Sequence, residues 1–189
     1  MSDAPLILRA GERSLQPWRN GGGVTQEIWV DPPGAGDGDF LWRASLATID
    51  TPGNFSDWPG IERLLVPLTG VLELNIEGET ICLAPGDEGR AFPGEAQVSG
   101  RPLDGRCSVL NIMTRRGRML AKVPRSVSLA GQVPGPRPKQ RLVVAREREA
   151  VETGETRLVL EAGDALLLNG DGVTDFEDKY LIILDLFSA

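Results

Sequence analysis

Gly78-Glu79-Thr80-Ile81-Cys82-Leu83-Ala84-Pro85-Gly86-Asp87 is a hairpin turn, an apolar strand and a Gly-Asp corner within ten residues, and the chain carries it twice. Gly154-Glu155-Thr156-Arg157-Leu158-Val159-Leu160-Glu161-Ala162-Gly163-Asp164 repeats the pattern with one additional residue. Turn chemistry of this kind also recurs by chance between unrelated β-hairpins. Here the two copies lie on either side of the stretch Pro124 to Pro138, in which Pro134, Pro136 and Pro138 alternate. A glycine-rich turn follows each corner, at Pro93-Gly94 and at Asn169-Gly170-Asp171-Gly172. A unit repeated across an extended, proline-stiffened connector reads as a duplicated small β-fold.

Outward from the repeat, short apolar runs rich in Val, Ile, Leu and Thr alternate with Gly, Pro or Asp turns. They cover Leu6 to Leu8, Val24 to Val30, Phe40 to Ile49, Arg63 to Leu68, Val71 to Ile76, Thr80 to Leu83, Cys107 to Met113, Arg141 to Ala145, Arg157 to Leu160, Ala165 to Leu168 and Tyr180 to Phe187. Many short strands with frequent turns predict an all-β sandwich or barrel. No segment sustains an apolar period of helical spacing, and Ile61 to Leu65 reads as at most one helical turn. Gly34 to Asp39 reads as a flexible loop. The expected organisation is one compact unit over residues 1–189. Its first half-fold lies within about 1–120, a Pro-rich linker spans 124–138, and strands in 139–189 complete the second half. One N-terminal strand is expected to cross to the second half.

The 189 residues include no histidine. Imidazole is the commonest metal ligand and the usual side-chain base near neutral pH. With Cys82 and Cys107 as the only thiols, the chain lacks the ligand set of an ordinary zinc, copper or non-haem iron site. Ser-His-Asp and Cys-His catalysis are excluded as well. We therefore expect no metal and no cofactor. A formal net charge of −7 argues against a nucleic-acid or anionic-membrane surface. Arg115-Arg116-Gly117-Arg118 is the one dense basic cluster and reads as a solvated strand end. The first residues lack the basic and apolar regions of a signal peptide, and no apolar run is long enough to span a bilayer. The expected location is the cytoplasm, and both cysteines, in apolar segments, are expected to be reduced and buried.

Pro17-Trp18-Arg19-Asn20-Gly21-Gly22-Gly23-Val24-Thr25-Gln26-Glu27-Ile28 carries the densest functional signal. Three glycines at a strand entrance make either a tight turn or a place where a small molecule reaches the main chain. Beyond them Thr25 and Glu27 share one face of the strand. Alternation along Phe40 to Ile49 places Arg43, Ser45 and Ala47 on one face, and Trp42, Ala44 and Leu46 on the other. Asn111 lies between Val109 and Met113 on an otherwise apolar face, where an amide needs partners. It serves either as a structural tie to a neighbouring strand or as a ligand contact. Arg63 follows a turn for which Pro59 and Gly60 suit the central positions of type II. It forms either a surface ion pair with Glu62 or Asp57 or part of a site. Trp18 and Phe55 are candidates to cover the mouth of a pocket.

The repeated hairpin and corner resemble the cupin pattern, although the histidines with which cupins hold metal are missing. Four ordered blocks are more specific. The segment 17–28, Trp42 to Ala47, Phe55 to Arg63 and Leu110 to Gly117 resemble the HutD/Ves family over most of residues 5–118. That resemblance implies a metal-free bicupin, two cupin-like β-barrels, often dimeric. For HutD it implies control of histidine-utilisation operons through binding of a small carboxylate such as urocanate or formylated glutamate. For Ves it implies a link to stress response, and no firm enzymatic activity attaches to either.

Three function classes follow. The first is a small-molecule binding protein in which Asn20, Gly21, Gly22, Thr25, Glu27, Arg43, Ser45, Arg63 and Asn111 line a polar pocket in the first barrel. An organic acid is held there by an arginine, the expected bidentate mode. Because Glu27 would repel a bare carboxylate, an acid that also carries a nitrogen donor is preferred. The second is a metal-free isomerase or lyase with Glu27 as general base. The third is a structural interaction protein that uses a sheet face.

Overall fold

The computed structural model describes residues 4–18, 21–123, 136–153, 156–170, 174–175 and 181–189. In chain order the strands are β1 (Leu6–Leu8), β2 (Leu15–Pro17), β3 (Gly23–Asp31), β4 (Trp42–Ile49), β5 (Gly53–Asn54) and β6 (Ile61–Thr69). There follow β7 (Leu72–Ile76), β8 (Glu79–Leu83), β9 (Arg90–Pro93), β10 (Val98–Pro102), β11 (Cys107–Arg115) and β12 (Met119–Lys122). The last are β13 (Gln140–Ala145), β14 (Glu149–Thr153), β15 (Thr156–Leu160), β16 (Ala165–Asn169), β17 (Thr174–Asp175) and β18 (Leu181–Ser188). A single 3-10 turn at Ala10–Glu12 is the one helical element among the described residues, so the fold is all-β as expected.

These strands group into two compact units, Arg13–Arg118 and Met1–Glu12 with Met119–Ala189. In the first unit a six-stranded sheet, β2-β3-β4-β11-β6-β9, packs on a four-stranded one, β5-β10-β7-β8. Ala47, Ile49, Leu65 and Val109 from the larger sheet meet Leu72, Leu74, Leu83 and Val98 from the smaller. Each such leucine contributes about 2 kcal/mol by leaving water. The second unit has the order β1-β16-β13-β18-β12 in one sheet and β15-β14-β17 in the other. Its core joins Val143, Leu166 and Ile183 to Val151 and Leu160. In each unit the expected cupin-like barrel takes the form of two packed sheets that do not close on one another.

The repeated corner has the same atomic basis in both units. Asp87 Oδ2 accepts from Ala84 N at 2.8 Å, and Asp164 Oδ2 accepts from Glu161 N at 3.0 Å. The glycine before each aspartate has positive φ, +105° at Gly86 and +85° at Gly163. The second corner does more. Asp164 also accepts from Arg9 Nη1 and from Ala10 N, both at 2.7 Å, next to the pairing of Leu6 with Leu167 between β1 and β16. The N-terminal strand therefore belongs to the later unit, so the first half-fold begins at residue 13 and not at residue 1.

Two expectations need correction. Ile61 to Leu65 is strand, not a helical turn. The type II turn at Pro59-Gly60, with Gly60 at φ +76° and Ile61 N donating to Trp58 O at 3.2 Å, delivers the chain straight into β6. Cys82 is exposed, because β8 is a sheet edge and residue 82 alternates away from the core residue Leu83. Cys107 is buried as expected, and burial, with a smaller contribution from Asp50, pushes its thiol up to about 11. Residues 124–135 of the Pro-rich linker, Gly154-Glu155 of the second hairpin and Asp171-Gly172 of its following turn lie outside the described residues.

Candidate functional site

The larger sheet of the first unit builds a cavity of about 470 Å3. Register determines which side chains enter it. Asn111 on β11 stands between Ser45 on β4 and Leu65 on β6, and Met113 stands between Arg43 and Arg63. Alternation then carries Arg43, Ser45, Arg63, Asn111 and Met113 to one face. All five line the cavity, together with Thr25 from β3.

Arg63 forms the floor, only 5% exposed. Its Nε and Nη2 donate to Asn111 Oδ1 at 3.4 and 3.3 Å, and Nη1 donates to Ser56 O at 3.4 Å. The guanidinium carbon lies 5.0 Å from the Phe55 ring centroid and 5.3 Å from that of Phe92. Burial lowers the guanidinium from its usual value to about 10, so it remains charged at neutral pH. No carboxylate pairs with it among the described residues. Glu62, the expected surface partner, lies 3.6 Å from Arg116 instead. A guanidinium has five N–H donors, and three are engaged here by long, neutral bonds. One N–H on each terminal nitrogen has no acceptor among the described residues and is available to an anion.

The second unit provides an internal comparison. There β13 lies between β16 and β18, as β6 lies between β9 and β11. Arg141 on β13 alternates with the core residues Val143 and Ala145 and is likewise buried. Directly opposite, Asp185 on β18 receives Nε at 2.6 Å and Nη2 at 2.9 Å. The residue opposite Arg63 on β11 is Met113, which offers no charge.

Asn111 does tie a neighbouring strand, since its side-chain oxygen accepts both bonds from Arg63 on β6, and the same residue lines the cavity. Its carbonyl oxygen must face the guanidinium, so Nδ2 points away from it, without a protein partner among the described residues. Ser45 Oγ is similarly unpartnered, although the residue is buried. Thr25 Oγ1 accepts from Trp18 Nε1 at 2.8 Å, and the Trp18 ring lies 6.4 Å from that of Phe55. Trp18, Phe55 and Trp58 give the cavity an aromatic wall.

Arg43 is already neutralised. Its Nε lies 2.8 Å from Glu27 Oε2, an ion pair without hydrogen-bond alignment, and its Nη1 lies 3.5 Å from Asp37 Oδ1. Glu27 thus acts on the cavity through Arg43 and is not itself on the wall. Gly21 and Gly22 are also absent from the wall, because their backbone groups are spent on the turn. Gly21 N donates to Trp18 O at 3.0 Å, and Gly22 O accepts from Asp50 N at 2.9 Å. The third glycine is required sterically, since a Cβ on Gly23 would meet Thr48 O. Asn20 lies outside the described residues. The sequence reading missed Gln16, Asp37, Asn54, Ser56 and Met113 on the wall. Met113 was legible by its alternation with Asn111, whereas the loop residues Asp37 and Ser56, and Gln16 and Asn54 in strands of three and two residues, carried no periodic signal. Among the described residues, no group of three His, Cys, Asp or Glu side chains is placed to hold a metal ion.

The HutD family model matches residues 10–180. The chain belongs to the HutD family. Curated relatives of this HutD-family chain include Protein Ves of Citrobacter koseri, 42% identical over 109 residues, which are 56% of each chain. A 21.2 kDa protein in the hutC 3' region of Pseudomonas putida is 38% identical over 119 residues, 62% of each chain. The matched segments thus span little more than half the length of these curated relatives. A structure of HutD from Pseudomonas fluorescens, in a formate condition, superposes with a TM-score of 0.77 at 28% identity, covering 98% of this chain and 100% of that one. A cupin 2 conserved barrel domain protein from Leptotrichia buccalis gives a TM-score of 0.57 at 13% identity, with 98% and 96% covered, a likeness of fold alone. No helix among the described residues is long and apolar enough to cross a membrane.

Proposed function

We propose that this HutD-family chain binds a small organic acid, of the urocanate or formylated-glutamate kind, and has a regulatory role in histidine utilisation. The observation that carries the reading is Arg63, a buried cation facing a cavity, with two N–H groups and its charge unmatched among the described residues. Asn111 Oδ1 takes the Nε and Nη2 side of Arg63 that Asp185 fills beside Arg141, but it brings no charge, so a ligand carboxylate at the remaining terminal N–H groups would supply the missing counter-ion. Asn111 Nδ2 and Ser45 Oγ supply further donors, and the aromatic wall suits a planar ligand body. The volume of about 470 Å3 falls within the range of small-molecule pockets. The link to histidine utilisation rests on the HutD family and on the Pseudomonas putida relative from the hutC 3' region.

The test is a melting-temperature panel with formate, urocanate, formylated glutamate and an uncharged amide of matching size. The carboxylates raise the melting temperature and the amide does not, since a ligand at a hundred times its Kd stabilises by about 2.7 kcal/mol. No shift with any acid would overturn the reading.

A further inference from the structure

Charge is distributed unevenly along the cavity. The floor carries Arg63, a cation with no carboxylate partner among the described residues, whereas Arg43 on the wall meets two carboxylates, Glu27 off the wall and Asp37 on it. Glu27 sits 2.8 Å from Arg43 Nε, so one acid already balances that arginine. Asp37 touches Arg43 only at 3.5 Å, its side chain is 78% exposed, and it lines the cavity. Arg43 thus has a closer partner than Asp37, which leaves the Asp37 carboxylate at the rim weakly held and open to a further donor.

The loop that carries Asp37 is fixed in place. Arg115 donates from Nε to Phe40 O at 2.9 Å and from Nη2 to Gly38 O at 2.6 Å, with its guanidinium 5.6 Å from the Phe40 ring centroid. Leu41 N bonds Asp31 O at 2.7 Å and Asp39 N bonds Gly36 O at 3.0 Å. A carboxylate on such a braced loop is a built part of the cavity.

Resting on the acid-binding reading, we infer that Asp37 is a specificity determinant that accepts a hydrogen bond from an N–H group at the outer end of the ligand. The ligand class is then dipolar. Its carboxylate seats inward on Arg63 and Asn111, and its nitrogen donor, neutral or protonated, points outward to Asp37. An acid without that donor leaves the rim carboxylate facing apolar ligand surface and gains nothing from it.

The experiment compares urocanate with furylacrylate, which keeps the acid arm but replaces the ring N–H. Both are titrated calorimetrically into the full chain and into Asp37→Ala, an exposed substitution whose folding is checked by its melting temperature. Asp37→Ala should weaken urocanate about tenfold, the scale of one lost hydrogen bond to a charged group, and leave furylacrylate unchanged. Equal losses for the two acids, or none for urocanate, would overturn the inference. Failure of both acids to bind the unsubstituted chain would instead remove the acid-binding reading beneath it.

Discussion

An arginine held out of water without a counter-ion costs free energy, and the two buried arginines among the described residues meet that cost differently. Arg141 is clamped by Asp185 from the neighbouring strand, with both N–O distances under 3 Å. Arg63 has an amide oxygen, a backbone carbonyl and two aromatic rings, interactions that hold its orientation but leave its charge uncompensated. Removing one partner of a buried ion pair strands the other. Asp185→Ala should therefore lower stability by about 3–5 kcal/mol in chemical denaturation, and added formate should restore part of it by occupying the vacated position. A loss below about 1 kcal/mol would mean that the pair is not needed for stability. Alternation along single strands made Arg43 and Ser45 legible as neighbours from sequence, and Asn111 as the polar residue of an apolar face. That Arg63 lacks a carboxylate was not legible. It depends on Glu62 turning to Arg116 and on Met113 standing opposite, both consequences of cross-strand register.

At the scale of elements, the Gly-Asp corner is the device that both units share. Its sequence exposed the duplication because the turn needs a glycine at positive φ and an aspartate that caps the amide three residues back. The crossing of an N-terminal strand to the second half was expected from the sequence, whereas its anchoring on the second corner through Arg9 and Ala10 was not. Burial alone would raise the Asp164 carboxyl, but hydrogen bonds from Ala10 N, Arg9 and Glu161 N outweigh it and hold it below the ordinary range. A carboxyl lowered on folding contributes stability that is present above its unfolded value, near about 4, and is lost as pH falls through its lower folded value. Asp164→Asn should cost about 2–3 kcal/mol at neutral pH and flatten the acid side of the stability profile. An unchanged acid limb would assign that limb to other carboxyls. Several short strands were missed for physical reasons: β9 and β10 contain proline or glycine, and β14 is half polar, so none shows a clean two-residue period.

For the whole molecule, duplication has given two β-sandwiches with opposite solutions inside: one satisfies its arginine, the other keeps a cavity. The absence of histidine bears on the entire chain, since neither unit has the side chains with which metal-binding cupins work. Chelator should accordingly leave the melting temperature unchanged, and elemental analysis should find no stoichiometric transition metal. About one metal ion per chain held by side chains would contradict this. The overall architecture was readable because strand count, turn chemistry and the repeat agreed. The composition of the cavity rim was not, since Asp37 and Ser56 come from loops and Asn54 from a two-residue strand, which tertiary packing alone brings together.

The central claim is that a ligand carboxylate is the missing counter-ion of Arg63. Calorimetric titration of the unsubstituted chain and of Arg63→Met with urocanate and formylated glutamate tests it most directly. The substitution should weaken binding by about 2–5 kcal/mol, because a desolvated carboxylate loses its charged partner. The melting temperature of the ligand-free protein should change far less, because no protein carboxylate is left stranded. Equal affinity in Arg63→Met and the unsubstituted chain would contradict the account.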